Sequence, residues 1–304
     1  MTDSSTLTDR AASVLARLKT KAAACGRSYQ LCLQLFCQEE FLRRLSHSPY
    51  ADNLILKGGL FLYTLTHYES RVTLDIDFLL RRMPAPQDRI RDILEEIIAT
   101  DVGNDFISFE IKKITPIALA KKYAGIGVSL IARIKNTRTP IGIDFGIGDC
   151  IYPKAERHQI PTQLPGYEAP ELNTYSLETA IAEKLDAVMS LMMTSSRMKD
   201  YHDLYYFAHR FDFKGESLRE ALRATFANRA RQFDDETFAD LLLLADEPSM
   251  QSKWNAYARK AGLDGVEFSS VMEVISHFLA RPYRAACSAT RMNEQWHAET
   301  LQWQ

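Results

Sequence analysis

The sequence predicts an α/β protein of the α+β type, in which a mixed sheet with flanking helices precedes a helical C-terminal lobe. Up to Ile147, short strands rich in β-branched residues are interspersed with helical segments. Beyond Leu177, the spacing of apolar residues is helical almost throughout. We therefore expect a core lobe with N-terminal helices over residues 1–150 and a helical lobe over residues 151–304.

Each predicted element follows from local spacing and capping residues. Apolar residues at helical spacing predict helices at 8–24 and 28–46, the second with Ser28 as its N-cap. The elements predicted next are a strand at 54–56, a helix at 60–67, a strand at 72–80, a helix after two prolines, and strands at 106–114, 127–134 and 140–147. Prolines without periodicity predict a connection between the lobes at 151–170. Ser176 or Thr174 is expected to cap the first helix of the second lobe.

The bulk composition limits the class of protein. With 46% hydrophobic and 25% charged residues among 304, the chain is typical of a soluble globular protein large enough for two lobes. It has no run of about 18 apolar residues, so we expect no membrane span. Five cysteines and seven histidines show no metal-ligand spacing. These features predict a cytoplasmic protein with reduced thiols.

Two aspartates in an apolar strand are the most informative local feature. Asp75 and Asp77 alternate with Leu74, Ile76 and Phe78. On a β-strand, residues i and i+2 lie on the same face, so both carboxylates project together while the apolar side chains enter a core. Neighbouring carboxylates repel each other, and a hard cation with oxygen ligands relieves this repulsion. The sequence therefore predicts a site for Mg²⁺, or Mn²⁺ in its place, that is completed by substrate phosphates.

The residues around this strand are candidates for nucleotide binding. Gly58 and Gly59 let the backbone approach a phosphate, with their amides at the start of the following helix. Lys57 either contacts a phosphate or covers the end of its strand. Arg71 and Thr73 alternate with the aspartates, so a phosphate contact is one role for the arginine and a structural ion pair is the other. The threonine hydroxyl is a hydrogen-bonding group for the nucleotide.

A second charged cluster lies in the predicted helical lobe. Asp200 and Asp203 are three residues apart and share a helix face, and Arg197 lies three residues before Asp200. Taken alone, such a pattern is also typical of a surface salt-bridge ladder. Similarly, Lys184 beside a glutamate on a helix is usually solvent-facing.

The ordered set of motifs resembles a known family. The run Arg-x-Thr-x-Asp-Ile-Asp at 71–77 follows the Gly-Gly pair, and Glu-Lys-Leu-Asp-Ala at 183–187 and Arg-x-Lys-Asp-x-x-Asp-Leu at 197–204 come later. This set resembles the AbiEii/AbiGii toxin family, which includes the AbiEii and MenT toxins, within the polymerase β-like nucleotidyltransferase superfamily. The resemblance extends from about Phe36 to about Tyr206.

The resemblance implies roles for further residues. It places Asp144 on a neighbouring strand as a third acid that binds metal or accepts a proton, with Asp149 as the alternative. It implies that Lys184 contacts a phosphate and that Asp200 has a metal-linked or base role. The remaining residues expected to bind nucleotide are Arg197, Lys199 and Asp203.

The resemblance also implies a function. We expect an enzyme, a Mg²⁺-dependent nucleotidyltransferase that moves a nucleoside monophosphate from an NTP to RNA. The expected acceptor is the 3′ end of a tRNA, whose modification blocks translation. The protein would then be the toxin of a type IV-like toxin–antitoxin system and would have a cognate antitoxin protein as partner.

A basic segment offers a path for RNA. Residues 111–140 contain seven lysines and arginines and no acidic residue, in a chain whose net charge is −2. A positive surface is one outcome, and a solvated hairpin balanced by acids elsewhere is the other. Six of the seven basic residues are expected to bind RNA: Lys112, Lys113, Lys121, Lys122, Arg133 and Lys135. The seventh basic residue of the segment is Arg138.

Two other functions remain open at this point. The first is the same chemistry on a protein or a small molecule, which a nearly neutral chain permits. The second is a non-catalytic, regulatory module that binds an NTP. The number of carboxylates in the motifs argues against the second, because binding a triphosphate does not need them.

Overall fold

The computed structural model describes residues 4–82, 87–117, 125–232 and 234–304. The chain divides into two compact units. The first, called the sheet unit here, comprises the residues up to Gly148 together with Glu156–Tyr175. The second, called the helical unit, comprises Asp149–Ala155 and Ser176–Gln304.

The sheet unit contains a seven-stranded mixed sheet with flanking helices, which confirms the predicted fold class. Its elements are α1 (Ser4–Cys25), α2 (Tyr29–His47), β1 (Leu54–Lys57), α3 (Gly58–Leu65), β2 (Asp75–Leu80), α4 (Gln87–Ala99), β3 (Ile107–Ile117), β4 (Gly125–Ile134), β5 (Thr137–Ile147), β6 (Glu156–Gln159) and β7 (Glu171–Thr174). The strand order is β3-β4-β5-β2-β1-β7-β6. The pairs β2–β5 and β1–β7 are parallel, and the other pairs are antiparallel.

The two faces of β2 and β5 differ in the way that their alternating sequences predict. Ile76, Phe78, Ile143 and Phe145 are buried on one face, where α2 packs on β5. The intervening residues are exposed or partly exposed. Around the paired acids of β2 and β5, the sheet therefore has one core face and one open face, as is common where antiparallel pairs predominate, whereas β1 is buried on both faces.

Two regions differ from the predicted elements. The segment predicted to connect the lobes contributes β6 and β7 to the sheet, because four-residue strands are too short to show a period in the sequence. The acidic strand begins at Asp75 rather than at Val72. Its pairing with β5 starts only at Asp75 opposite Gly142, so residues 71–74 have no strand partner.

Helix α2 is anchored by a buried group of charges. Arg43 forms ion pairs with Glu39 and Glu40, and the side-chain amide of Asn104 donates to Glu40 at 3.0 Å. The backbone N–H of Gln163 donates to Glu39 at 2.5 Å. Burial raises the pKa of Glu39 to about 7, although Arg43 opposes the shift. These contacts hold α2 against segments far from it in sequence.

The described residues of the helical unit form six α-helices and a small sheet. Its elements are α5 (Leu177–Leu191), α6 (Met198–Arg210), β8 (Phe213–Lys214), α7 (Gly215–Asn228), α8 (Asp235–Leu243), α9 (Pro248–Ala261), α10 (Phe268–Ser288), β9 (Gln295–His297) and β10 (Gln302–Trp303). Ser176 caps α5 by accepting from the backbone N–H of Thr179. Trp296 in the C-terminal segment is buried, and its indole N–H donates to the carbonyl of Ala208 at 2.8 Å. Over the described ranges, no helix is long and apolar enough to cross a membrane.

Candidate active site

Strand register places three acidic residues on the open face of the sheet. Asp77 lies opposite Asp144 on β5 and opposite Lys57 on β1. Register partners on neighbouring strands share a face, and Asp75 shares the face of Asp77 because it lies two residues away. Asp75 and Asp144 are exposed, and Asp77 is partly exposed. The two predicted metal ligands and the predicted third acid are therefore neighbours.

Two of these carboxylates lie over glycines of adjacent strands. A Cβ atom on Gly142 would come within 2.7 Å of Oδ1 of Asp75, and one on Gly127 would lie 3.4 Å from Oδ1 of Asp144. A side chain at Gly142 would therefore collide with the acid, while Gly127 leaves the second one a close but permitted contact. Neither glycine is among the site residues predicted from the sequence. A glycine two residues before an acid in the alternating run Ile-Gly-Ile-Asp is the signal that would have found Gly142.

The remaining carboxylate, that of Asp77, lies against the start of α3. Gly58 has φ = +69°, and a Cβ there would come within 2.7 Å of Cγ of Asp77. A Cβ on Gly59 would come within 3.0 Å of Oγ1 of Thr73 and 3.2 Å of Nη2 of Arg71. The glycine pair, the arginine and the threonine predicted from the sequence thus come together around the first turn of α3, although Arg71 and Thr73 precede β2.

Lys57 is held at the end of β1 by an aromatic residue. Its ammonium Nζ donates to the hydroxyl of Tyr175 at 3.1 Å and lies 4.9 Å from the centre of the ring. Tyr175 is buried at the end of β7. The two residues are far apart in sequence, so no local pattern indicates this contact. It keeps a positive charge in the same cross-strand row as Asp77.

The open-face acids fit a hard divalent cation. Asp75 and Asp77 provide carboxylate oxygens, which are the ligands that Mg²⁺ and Mn²⁺ prefer. In the part of the chain that the structure describes, no three Asp, Glu, His or Cys side chains are gathered closely enough to form a metal cage. Mg²⁺ does not require such a cage, because it usually binds one or two carboxylates and completes its shell with water and substrate phosphates.

The predicted charged residues of the helical unit form a compact ion cluster. Nζ of Lys184 lies 2.6 Å from Oδ2 of Asp203 and 3.4 Å from Oδ1 of Asp200, and Nε of Arg197 lies 2.6 Å from Oδ2 of Asp200. Both aspartate side chains are 1% exposed and that of Lys184 is 11% exposed. Lys184 therefore bridges α5 and α6 from a largely buried position. Lys199 is exposed.

Asp149, the alternative third acid, lies in the helical unit. Its carboxylate accepts from Nη2 of Arg229 at 3.0 Å, and the same guanidinium contacts Glu183 at 3.2 Å and Asp186 at 2.7 Å. Asp144 instead lies in β5, in the row of Asp77. The geometry within the sheet therefore favours Asp144 as the third acid.

Some of the predicted RNA-binding residues share the open face. One cross-strand row runs through Lys113, Ser129, Gly142 and Asp75, which are successive register partners. Arg138 is on the same face of β5, six residues before the third acid. Lys113, Ser129 and Arg138 are exposed. Small residues therefore separate Asp75 from Lys113, and Gly142 and a proline separate the third acid from Arg138 along β5.

A neighbouring acid reduces the positive charge of the basic segment. Glu110 immediately precedes the segment, forms an ion pair with Lys112, and accepts from Nη2 of Arg133 at 2.7 Å. These hydrogen bonds, that from Lys112 first, lower the pKa of Glu110 to about 2. Lys135 is exposed in the turn between β4 and β5. Outside the described residues lie the other two members of the predicted set, Lys121 and Lys122.

We predict that Gly58→Ala weakens metal binding at the acids. Both the positive φ and the overlap with Asp77 disfavour a side chain at this position. Displacing a metal ligand should weaken Mn²⁺ binding by about 10-fold to 100-fold, measured by electron paramagnetic resonance. Gly26→Ala is the matched control, because Gly26 has φ = +68° and nothing within 4 Å of the added Cβ. Gly26→Ala should lose about 1 kcal/mol of stability through its positive φ alone, and Gly58→Ala should lose more because of the added overlap. Equal Mn²⁺ affinities in the two folded variants would contradict the prediction.

We also predict that Lys184→Ala destabilises the protein strongly. Removing this cation leaves two buried aspartates short of positive charge, which typically reduces the free energy of unfolding by about 3–5 kcal/mol. Lys199→Ala, at an exposed position in the same motif, should change it by less than about 0.5 kcal/mol. Urea denaturation of both variants tests this difference. A stable Lys184→Ala protein would show that the cluster contributes little to folding.

Comparisons with known proteins bear on this arrangement. The model of the nucleotidyl transferase AbiEii toxin family, of type IV toxin–antitoxin systems, matches residues 40–274. Solved crystal structures to which the chain is similar include a proposed nucleotidyltransferase from H. pylori, with 13% identity over 86% of this chain and 97% of that chain and a TM-score of 0.46. Another is JHP933 from Helicobacter pylori, with 15% identity over 86% and 94% of the respective chains and a TM-score of 0.46. No curated protein matches the chain. The family match confirms the predicted resemblance and enzyme class: the chain belongs to the AbiEii family of nucleotidyltransferase toxins of type IV toxin–antitoxin systems.

Proposed function

We propose that this toxin transfers a nucleoside monophosphate from an NTP to a hydroxyl group of RNA, with the 3′ end of a tRNA as acceptor. The observation that supports the proposal most directly is the row of Asp77 and Asp144 on the open face, with Asp75 beside it. Family membership supports the chemistry. The identity of the acceptor rests on the resemblance and on the surface around the acids.

The proposed reaction is an in-line displacement at the α-phosphorus. A bond forms between the acceptor hydroxyl oxygen and the α-phosphorus, and the bond from that phosphorus to the oxygen bridging the β-phosphorus breaks, releasing pyrophosphate. Bound Mg²⁺, or Mn²⁺, would neutralise charge on the phosphates and polarise the α-phosphoryl group. Asp75 and Asp77 would hold the metal. Asp144 would help to hold it or accept the proton of the attacking hydroxyl.

The start of α3 is suited to the triphosphate. Backbone N–H groups at a helix N-terminus favour anions, and Gly58 and Gly59 leave space for a phosphate to approach them. Arg71 lies beside this turn, and its guanidinium can donate two parallel hydrogen bonds to phosphate oxygens. Lys57 supplies a second positive charge. The hydroxyl of Thr73 would bind the nucleotide.

The roles of the helical-unit residues are proposed from the resemblance. They are a phosphate contact for Lys184, nucleotide contacts for Arg197, Lys199 and Asp203, and a metal-linked or base role for Asp200. Lys184 and Arg197 already bind aspartates in their own unit. A phosphate would therefore have to compete with these carboxylates.

The open face also suits a polyanionic strand as acceptor. Lys113 is three strands away from Asp75 in the same row, or about 14 Å at ordinary strand spacing. Arg138 is six residues from Asp144 along β5, or roughly 20 Å. Both distances are spanned by a few nucleotides rather than by a small molecule. Modification of a tRNA 3′ end would block aminoacylation and hence translation, and an antitoxin would be needed to limit this activity.

We predict that labelled NTP modifies a tRNA-sized RNA. The purified protein is incubated with Mg²⁺, each α-³²P-labelled NTP in turn, and total bacterial RNA with protein extract. Asp75→Asn/Asp77→Asn should lower incorporation by about 1,000-fold, because it removes metal-assisted charge stabilisation worth several kcal/mol. Asp92→Asn, at an exposed position of α4, is the control and should retain activity.

The position of the label decides between the alternatives. Label in protein or in a small molecule would retain the chemistry and reject RNA as acceptor. NTP binding without label in any fraction would instead indicate a non-catalytic module.

We further predict that Lys113→Glu/Arg138→Glu weakens tRNA binding. Losing two phosphate contacts should lower the slope of log affinity against log salt by about two and reduce the affinity at least 10-fold at low salt. Lys19→Glu/Lys260→Glu makes the same change in net charge at exposed positions outside the open face. Fluorescence anisotropy with labelled tRNA compares the two. Equal losses in both double variants would mean that net charge, and not this face, determines binding.

A further inference from the structure

The residue before the acidic strand is held by two glutamines of α2. The side-chain amide of Gln38 donates to the carbonyl oxygen of Leu74 at 2.7 Å, and that of Gln34 donates to the same oxygen at 3.1 Å. A carbonyl oxygen has two lone pairs, so it can accept both hydrogen bonds. Leu74 is bonded directly to Asp75, and its carbonyl belongs to the peptide group that begins β2. The two amides thus act one residue away from a proposed metal ligand.

Strand pairing in the described structure begins just after Leu74. Pairing of β2 with β5 begins at Asp75, and pairing with β1 begins only at Asp77. The side chains of Val72 and Leu74 are 48% and 46% exposed, so they provide little anchoring by burial. The position of Asp75 therefore depends on its pairing with β5, on Thr73, which lies beside the start of α3, and on the carbonyl that precedes it.

Helix α2 provides a firm base for these hydrogen bonds. Gln34 and Gln38 are one turn apart on the helix, and their side chains are 8% and 1% exposed. Further along α2, two hydrogen bonds join the helix to the rest of the unit: Glu39 accepts from the backbone N–H of Gln163 at 2.5 Å, and Arg43 donates to the carbonyl of Glu168 at 2.8 Å. Among the described residues, Oε1 of Gln38 has no hydrogen-bond partner. A buried amide with one unsatisfied end is costly to keep, and its observed contact is the one made to Leu74.

We infer that Gln34 and Gln38 are positioning residues that hold the carboxylate of Asp75 where it can bind the metal together with Asp77. This inference rests on the proposed function, because it assigns a supporting role at the same site. The glutamines do not touch metal or substrate. They act through the Leu74 carbonyl, in the way that groups beyond the ligands orient a metal site.

The test measures metal binding without catalysis. Mn²⁺ is titrated into the full-length protein by electron paramagnetic resonance, in the absence of nucleotide and RNA. Gln34→Met/Gln38→Met keeps the side-chain length and removes both donors, and it should weaken Mn²⁺ binding by about 10-fold to 100-fold. Hydrogen exchange at the amides of Asp75 and Ile76 should accelerate. Gln30→Met, at an exposed position of the same helix, is the control and should change neither quantity.

Activity provides a second readout. The Mn²⁺ concentration needed for half-maximal activity should rise in the double variant, while kcat at saturating Mn²⁺ recovers to within a few-fold of the wild-type value. A purely structural role would instead lower the fraction of active protein at every Mn²⁺ concentration. If the double variant fails to fold by circular dichroism, Gln34→Met alone, at the less buried position, should still raise the Mn²⁺ requirement.

The outcomes separate the inference from the proposed function. Mn²⁺ binding by the wild type that is unchanged in Asp75→Asn would reject the metal site and with it the proposed function. Binding that depends on Asp75 but has equal affinity in the wild type and in the folded glutamine variants would overturn the inference alone. Weaker Mn²⁺ binding in Asp75→Asn and in the variants of Gln34 and Gln38, with Gln30→Met unaffected, supports the inference.

Discussion

The parallel pairing of β2 with β5 is the constraint on which the candidate active site depends. In this register, Asp77 lies opposite Asp144, and the apolar partners Ile76 with Ile143 and Phe78 with Phe145 lie opposite each other on the core face. A slip of one residue would expose the apolar side chains and bury the acids, so burial of the core holds the register. The hydrophobic free energy that forms the sheet thereby also brings the carboxylates together.

The acids of the two units differ in burial and in the groups that surround them. Asp200 and Asp203 are buried against Lys184 and Arg197, which is an arrangement that stabilises charges inside the helical unit. Asp75 and Asp144 are exposed on the open face and lie against glycines rather than against a wall of side chains. Carboxylates that are accessible and have space beside them can accept a cation and a phosphate. The sheet acids are therefore accessible to a cation and a phosphate, whereas the helical cluster is an internal network of ion pairs.

The surroundings of the sheet acids are connected to the interior of the unit through α2. Hydrogen bonds from distant segments to its buried glutamates hold the helix in place, and its glutamines in turn hold the Leu74 carbonyl. On the other side, Gly58 approaches Asp77 so closely that no side chain fits there. The acidic strand is thus supported at its start by side-chain amides and flanked by the first turn of α3. Such support is typical of sites that must keep their ligands in place before the substrate binds.

The features that the sequence alone determined are those with a local period or a local cap. Alternation in β2 and β5 predicted which residues enter the core, helical spacing predicted α2 and α5, and Ser28 and Ser176 cap these helices as expected. The same alternation predicts that the side chains of Asp75 and Asp77 share a face, because the two residues lie two positions apart on one strand. Predicting these features from such a pattern needs no information about the rest of the chain.

The tertiary structure decided the features that depend on contacts between distant residues. These are the late start of β2, the addition of β6 and β7 to the sheet, the contact of Lys57 with Tyr175, and the neutralisation of Arg133 by Glu110. Each depends on which strand or helix lies beside a residue, and the sequence around one partner does not indicate the other. Periodicity reports which face of its own element a residue occupies, whereas only the folded chain determines which residue stands opposite it.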